Sequence, residues 1–235
     1  MTKALSLAAV LLLILGCGGP KPVQQAAPPA DTTAQAPDTT PAVTQPADTT
    51  QAKTGMPPAE TKGMLKDTLA TGKLPENLFL TIMVKDYGTM KIKMFTKEAP
   101  KNVTNVANLA IKGFYNGLIF HRLIPGFMIQ GGDPKGDGTG GPGYTVPAEF
   151  NAHKHLKGTM AMARLGDEAN PKKESSGSQF YICFVPTPFL DNNYTTIGEM
   201  VDGIPVLEKL EKVPTGAQDR PTKPVVMEQV FVTTE

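Results

Sequence analysis

The sequence has few cysteines, almost no net charge, and no aromatic residue in its first third. Cys17 and Cys183 are its only cysteines, which excludes a disulfide framework and a cysteine-based zinc site. The net charge is +1 and the isoelectric point is near 7.7, so the chain lacks the basic surface typical of nucleic-acid binding, and we expect no nucleic-acid partner. All ten Phe and five Tyr residues lie at Phe79 or later, so only the later part can build an aromatic core.

The N-terminus is typical of a bacterial lipoprotein signal peptide. Residues 4–15 form an apolar run after a positively charged start. The run is shorter than the roughly 20 residues of a membrane-spanning helix but fits the apolar region of a signal peptide. Gly16 then precedes Cys17, an arrangement that resembles the lipobox, in which the cysteine is acylated and the leader is cut before it. We predict a signal peptide over residues 1–16 and a lipid anchor at Cys17. An ordinary signal peptide and a short membrane anchor are the alternatives.

Residues 17–62 have the composition of a tether. Pro, Ala, Thr and Gln predominate, and Asp-Thr-Thr recurs at Asp31, Asp38 and Asp48. Such a segment buries too little apolar surface to offset the entropy of ordering it. We expect it to hold a folded domain outside the cytoplasm, facing the periplasm or at the outer membrane. Residues 63–77 are interpreted as an N-terminal extension of that domain.

Residues 78–235 have the pattern of a mainly β domain. Apolar runs at 78–84 and 90–95 flank a turn and predict a hairpin. Residues 100–111 have helical spacing after a proline, and residues 204–210 indicate a second helix. Further short apolar runs predict strands at 118–124, 127–130, 159–163, 179–185, 195–201 and 225–232. Many short strands with only two helices favour a closed antiparallel barrel.

Five sequence blocks in this domain resemble those of the cyclophilins. Residues 120–133 read FHRLIPGFMIQGGD, which is similar to the family signature. The other blocks follow in the family's order: GTGG at 138–141, MAMAR at 160–164, GSQFYI at 177–182 and FLDN at 189–192. Cyclophilins are peptidyl-prolyl cis-trans isomerases. They fold as closed eight-stranded antiparallel β-barrels capped by two α-helices. The resemblance, over about residues 78–233, implies this fold and this activity.

The reaction itself indicates what the site must supply. Rotation about an X-Pro amide bond is opposed by about 18–20 kcal/mol, and no covalent bond is broken. A nucleophile, a general base and a metal are therefore unnecessary, and we expect no cofactor and no metal site. The reaction needs an apolar slot for the proline ring and a fixed donor aimed at the proline nitrogen. The lone pair of that nitrogen is localised in the twisted state, so the hydrogen bond strengthens at the transition state.

The resemblance also implies roles for individual residues. Arg122 matches the catalytic arginine, and a guanidinium suits this role because it stays charged and presents planar donors. Gln130 and Gln179 match polar groups that orient the substrate backbone and Arg122. In the family, one set of residues forms the pocket for the proline ring, and the residues that correspond to it here are Phe127, Met128, Tyr181, Leu190, Phe189 and Tyr194. Another segment pairs with the peptide through main-chain groups, and it corresponds to Ala161, Met162 and Ala163.

Several positions depart from the common family pattern. Met162 stands where the family often has Asn, Phe189 where it often has Trp, and Tyr194 where it often has His. Phe189 has no indole N–H, so we expect weaker binding of cyclosporin, the cyclic inhibitor typical of the family. The segment 164–178 is longer and more charged than in short members, and we interpret it as a solvated insertion.

Other motifs are interpreted as structural. The sequence GTGGPG at 138–143 has the spacing of a dinucleotide loop, but it is not followed by a helix start. His153 and His155 lie in a Lys-rich segment, and we expect them to be solvated and not to bind metal with His121. Cys183 lies in an apolar strand and is expected to be an inert core thiol.

The sequence thus predicts a monomeric, lipid-anchored prolyl isomerase that acts on proline-containing polypeptides outside the cytoplasm. One alternative is a module that binds proline peptides in the same pocket without useful turnover. A second is a surface adhesion or scaffold protein in which the tether and anchor matter more than catalysis.

Overall fold

The structure is a computed structural model that describes residues 74–234. The predicted signal peptide, the lipid anchor, the tether and residues 63–73 of the extension lie outside this range. Of the extension, Leu74 packs against the core of the domain. Within residues 74–234, no helix has the length and apolar character needed to span a membrane.

Eight strands form a closed antiparallel barrel, as the sequence predicted. The barrel strands are β1 (Leu78–Val84), β2 (Gly88–Met94), β3 (Ile119–Ile124), β4 (Met128–Gly131), β6 (Thr159–Met162), β8 (Phe180–Cys183), β9 (Thr196–Asp202) and β10 (Val225–Thr234). Around the barrel the order is β1-β10-β3-β4-β8-β6-β9-β2, and β2 pairs with β1 to close the ring. A separate two-stranded sheet joins β5 (Thr145–Val146) and β7 (Ser175–Ser176), which the sequence did not predict.

Two α-helices pack against the barrel, and both begin and end where the sequence predicted. Helix α1 (Pro100–Ile111) has a proline in its first turn and packs against β10, while α2 (Ile204–Leu210) packs against β2. The buried face of α1 includes the four residues at helical spacing, which are Val103, Val106, Ala107 and Ala110. Short 3-10 helices follow at Pro188–Leu190 and Ala217–Asp219.

Strands β4, β6 and β8 are buried on both faces, and alternate residues face two different apolar clusters. Successive side chains of a strand point to opposite faces. The residues facing the barrel core are Ile129, Met160, Met162, Phe180 and Ile182. On the outer face lies a second group, here called the pocket cluster: Met128, Ala161, Ala163, Tyr181, Cys183 and Leu190, with the partly buried Ile124, Phe127 and Tyr194. This outer face of the barrel carries the candidate site.

A buried chain of hydrogen bonds connects β8 to the segment that carries Leu190. The Tyr181 hydroxyl donates to His155 Nε2 at 2.9 Å, and His155 Nδ1–H donates to Asp191 Oδ1 at 3.0 Å. The main-chain N–H of His155 donates to the same carboxylate oxygen at 3.0 Å. Asp191 directly follows Leu190, so the chain fixes one wall of the pocket cluster relative to its floor.

The prediction that His155 is solvated is wrong, because its side chain is fully buried. The flanking lysines give the segment a polar composition, but its path turns this one imidazole inward. His153 remains partly exposed, and its ring stacks on Phe95 with the ring centroids 3.6 Å apart.

The buried chain makes stability depend on pH. Burial lowers the pKa of His155 because it penalises the charged imidazolium, although Asp191 works in the opposite direction. Burial also opposes ionisation of Asp191, but hydrogen bonds from His155 and Lys154 outweigh it and hold the pKa of that carboxyl below its ordinary value. An unfolded histidine binds a proton below about pH 6.5, whereas the lowered pKa of folded His155 means that it binds its proton only at lower pH. Acidification through that range therefore lowers the free energy of unfolding, and the contribution of Asp191 is lost only at lower pH.

We predict that His155→Gln reduces this pH dependence. When the pH falls from about 7.5 to about 5.5, an unfolded histidine gains a proton that a neutral buried histidine does not. This difference lowers the free energy of unfolding by up to about 1.4 kcal/mol. Urea unfolding at the two pH values measures the difference, which should be smaller in His155→Gln than in the wild type. His153→Gln is the matched control and should keep the wild-type difference. An unchanged pH dependence in His155→Gln would contradict the prediction.

Candidate active site

Four predicted site residues form one row across four neighbouring strands. Arg122 of β3 pairs with Gln130 of β4, Gln130 pairs with Tyr181 of β8, and Tyr181 pairs with Ala161 of β6. Side chains of directly paired residues point to the same face of a sheet. With strands about 4.8 Å apart, the row is about 14 Å long, the length of roughly four extended residues. The row is therefore suited to a short extended peptide.

A β-bulge turns Arg122 toward this row. Phe120 lies in the barrel core, and regular alternation would place Arg122 on the same inner face. The register of β3 against β4 shifts between these two residues, so that Phe120 pairs with Gly131 and Arg122 with Gln130. Bulges commonly redirect a side chain in this way next to active sites. The bulge therefore places a cation on the outer face of the barrel.

Asp219 holds the guanidinium of Arg122. Arg122 Nε donates to Asp219 Oδ2 at 3.3 Å, and the two side chains are 20% and 47% exposed. Asp219 and its neighbour Gln218 both have positive φ angles, 57° and 58°. Such angles are typical of the two central residues of a tight turn, in which Asp is favoured. A partly exposed ion pair of this kind contributes about 0–1 kcal/mol. The sequence analysis missed Asp219, because it lies 97 positions from Arg122 and in none of the five blocks.

The two glutamines of the site connect β4 to the glycine-rich loop. Gln130 Nε2 donates to Gln179 Oε1 at 2.9 Å. Gln179 Nε2 in turn donates to the carbonyls of Gly138 and Gly140, each at 2.8 Å. Both side chains are thus held in place, Gln130 as the strand partner of Arg122. Their role in orienting Arg122 and the substrate stays a prediction.

The same loop is fixed from its other side by Asp133. This buried carboxylate accepts main-chain N–H groups from Lys135, Asp137 and Gly138 at 2.6–3.1 Å. Main-chain groups of the loop thus bind two side chains of the chain itself. The interpretation of the glycine-rich sequence as structural agrees with these bonds.

The pocket cluster has an aromatic rim and an apolar floor. Phe127 and Phe189 face each other at the rim, with ring centroids 5.7 Å apart, and Phe189 is 51% exposed. Tyr194 meets Tyr181 edge to face at 5.8 Å. Since the Tyr181 hydroxyl points to His155, the surface of the floor stays apolar. The structure thus brings together all of the residues predicted to line the proline pocket.

Met162 lies in the predicted peptide-binding segment but directs its side chain into the barrel core. Ala161 and Ala163, on either side, face the pocket cluster. The main-chain N–H of Met162 donates to the Thr195 carbonyl, and that of Ala163 donates to the Gln179 carbonyl. A peptide therefore has no free N–H at Met162 or Ala163 with which to pair, and the Ala163 carbonyl already accepts the Ser176 N–H at 2.7 Å. The peptide-binding role of this segment stays a prediction.

The interpretation of residues 164–178 as a solvated insertion is wrong at both ends of the segment, because Ser175 and Ser178 are buried and Arg164 is held by its neighbours. The Arg164 side chain is only 6% exposed and lies over the Tyr194 ring, 4.6 Å from its centroid. Its Nε donates to the Asn193 carbonyl at 3.0 Å, and its Nη1 forms an ion pair with Asp167 at 2.6 Å. Arg164 thus attaches this segment to the loop that carries the rim of the pocket.

Burial favours the neutral forms of three titratable groups in the domain, Cys183, Tyr181 and His121. Burial raises the pKa of Cys183 to about 11, which agrees with the predicted inert thiol. Burial also raises the pKa of Tyr181 well above its ordinary value and lowers that of His121. In the part of the chain that the structure describes, no three His, Cys, Asp or Glu side chains are grouped so that they could hold a metal ion.

Comparison with known proteins places this geometry in a family. Residues 79–232 match the model of the family described as "Cyclophilin type peptidyl-prolyl cis-trans isomerase/CLD". A peptidyl-prolyl cis-trans isomerase of Synechococcus elongatus is 48% identical over 121 residues, covering 52% of this chain and 79% of that protein. One from Helicobacter pylori is 41% identical over 144 residues, covering 60% of this chain and 84% of that protein.

Solved structures agree with the sequence comparison. The crystal structure of a Cryptosporidium parvum cyclophilin-type peptidyl-prolyl cis-trans isomerase is 31% identical, with a TM-score of 0.62. The match covers 67% of this chain and 98% of that one. A second crystal structure of that protein was obtained in the presence of the dipeptide Ala-Pro. By its matched residues, its barrel and its relatives, the present chain belongs to the cyclophilin-type peptidyl-prolyl cis-trans isomerases.

Proposed function

We propose that Arg122 catalyses X-Pro rotation by donating a hydrogen bond to the proline nitrogen while the pocket cluster holds the proline ring. The observation that carries this proposal is the row in which Arg122 and the pocket floor at Tyr181 share one outward face. Two strand spacings, about 10 Å, separate the backbones of these residues. A long arginine side chain and a tyrosine ring on one face can then contact adjacent parts of one peptide.

The size of the rate enhancement is compatible with one such donor in an apolar site. Uncatalysed isomerisation takes about 10–100 s. Shortening this to about a millisecond requires roughly 6 kcal/mol, at about 1.4 kcal/mol for each factor of ten. The guanidinium supplies an interaction that is stronger with the twisted amide than with the planar one. The pocket contributes by fixing the ring and by excluding water around the donor.

The substrates are proposed to be proline-containing polypeptides outside the cytoplasm. The Ala-Pro dipeptide used with the Cryptosporidium parvum relative supports recognition of an X-Pro unit by this site. The lipobox-like sequence ending in Cys17 and the tether after it support attachment to a membrane, with the domain on its extracytoplasmic side. Two or more acyl chains would hold it there stably, whereas a single chain binds reversibly.

The role of Arg122 predicts a specific loss of turnover. Arg122→Ala should lower kcat for an X-Pro peptide by about 100-fold, since this is the usual effect of removing one transition-state donor. KM should change little, because the pocket binds the ground state. Lys85→Ala, which removes an exposed cation from the β1–β2 turn, is the matched control and should keep full activity. Wild-type turnover in Arg122→Ala would contradict the mechanism, and negligible turnover in the wild type would favour the binding-module alternative.

The exposed rim residue predicts altered inhibitor binding. Phe189→Trp restores an indole N–H donor at a position that is half exposed in this protein. One added hydrogen bond should tighten inhibition by cyclosporin about tenfold. Phe189→Leu, which adds no donor, serves as the control and should not tighten inhibition. Equal inhibition of the wild type and Phe189→Trp would contradict this prediction.

The membrane anchor predicts a change of location without a change of activity. Cys17→Ser in the full chain should abolish incorporation of labelled palmitate and move the protein from the membrane fraction to the soluble fraction. Turnover per molecule should stay at the wild-type level. Deletion of residues 18–61 with Cys17 retained is the control and should leave the protein in the membrane fraction. Unchanged labelling in Cys17→Ser would contradict the lipobox.

A further inference from the structure

The loop that holds Arg122 is built tightly and anchored at both ends. Gly216 N–H donates to the Arg220 carbonyl at 2.8 Å, and Thr222 N–H donates to the Pro214 carbonyl at 2.9 Å. Arg220 Nη1 also donates to the Gly136 carbonyl at 2.6 Å, which fixes the loop to the glycine-rich segment of the site. Asp219 therefore reaches Arg122 from a rigid support.

The backbone turns sharply at Gln218 and Asp219, which both have positive φ angles. The Arg220 N–H donates to the Ala217 carbonyl at 3.2 Å, so these two left-handed residues are the centre of a four-residue turn. Turns of this kind favour Gly, Asn and Asp at their central positions. The turn therefore presents the Asp219 carboxylate to Arg122 from a fixed backbone.

The contact leaves the reactive end of the arginine free to serve the substrate. Asp219 binds the Nε–H, which lies at the base of the guanidinium plane. The two Nη groups lie at the other end and carry four of the five N–H donors. The hydrogen bond at Nε–H already restricts the rotamers of the long arginine side chain. The side chain therefore loses less conformational freedom when the transition state forms. The orientation of the guanidinium is thus set before the peptide twists.

We infer that Asp219 is a positioning residue for prolyl isomerisation, which holds the guanidinium plane of Arg122 with its Nη groups toward the proline nitrogen. This inference rests on the proposed role of Arg122. It gives one side chain of the 214–222 loop, which lies outside the five sequence blocks, a part in catalysis through its contact with Arg122. Because Asp219 acts through Arg122, its removal should lower kcat and leave substrate binding nearly unchanged.

The positive φ angle of Asp219 supplies the decisive variants. Asp219→Gly removes the carboxylate and introduces the residue that adopts positive φ without steric cost, whereas Asp219→Ala removes the carboxylate without this advantage. We expect both to lower kcat about tenfold with KM within about twofold of the wild type, since an arginine that must be ordered at each turnover loses part of its preorganisation. The Gly variant should melt at a higher temperature than the Ala variant. Gln218→Gly is the matched control, because it makes the same change to glycine at the neighbouring position, keeps the carboxylate and should retain wild-type kcat.

A double-mutant test separates this inference from the proposed function. In an Arg122→Ala background, Asp219→Gly should lower kcat no further. Asn at position 219 keeps an oxygen that can accept from Nε, so Asp219→Asn should restore part of the kcat lost in Asp219→Ala. In the NMR spectrum, the Arg122 Nε–H signal should shift in Asp219→Gly and not in Gln218→Gly.

The outcomes are distinguishable. Loss of turnover in Arg122→Ala with wild-type kcat in Asp219→Gly and Asp219→Ala would overturn the positioning role and leave the mechanism intact. A further loss in the double mutant would also overturn it, because Asp219 would then act elsewhere. Wild-type turnover in Arg122→Ala would instead overturn the proposed function. If the Gly variant does not fold, the kcat of Asp219→Ala decides alone.

Discussion

This molecule depends on one constraint in three of its strands, which are buried on both faces. Successive side chains along each of these strands point to opposite faces of the sheet. Each of β4, β6 and β8 supplies one face to the barrel core and the other to a cluster outside it. The interior residues pack in the core of the closed ring, and the exterior residues form the floor of the pocket. A single bulge between Phe120 and Arg122 breaks this alternation in β3 and adds a cation to the outer face. The binding surface and the hydrophobic core are thus two sides of the same backbone.

The segments beyond the barrel strands add polar contacts that hold the site residues in place. The Asp191–His155–Tyr181 chain fixes the wall at Leu190, and Arg164 ties the neighbouring loop to the rim. A reaction that only rotates a bond needs no group that changes its covalent state. It is therefore served by neutral or permanently charged residues in fixed positions. Buried groups near the pocket, such as the Cys183 thiol, are accordingly held in their unreactive form.

Much of the fold could be predicted because it is encoded locally. Helical spacing after a proline placed Pro100–Ile111 correctly, an apolar pattern placed Ile204–Leu210, and short apolar runs located the barrel strands to within about two residues. Arg122 and most of the pocket residues could be proposed because they lie within contiguous motifs. Asp219 could not be found in this way, because its contact with Arg122 exists only once the barrel has closed. His155 was misplaced for a related reason: its neighbours are polar, and only tertiary packing turns its ring inward.

Closure of the barrel has a consequence for an enzyme whose substrates are proline-containing peptides. An unfolded polypeptide readily adds to any exposed sheet edge, because such an edge offers a row of unpaired main-chain donors and acceptors. Each of the eight barrel strands here pairs with another strand on both sides over at least part of its length. The barrel therefore has no strand with a wholly unpaired side, to which a peptide could add as a ninth strand. A peptide substrate can meet the loops and the outward pocket.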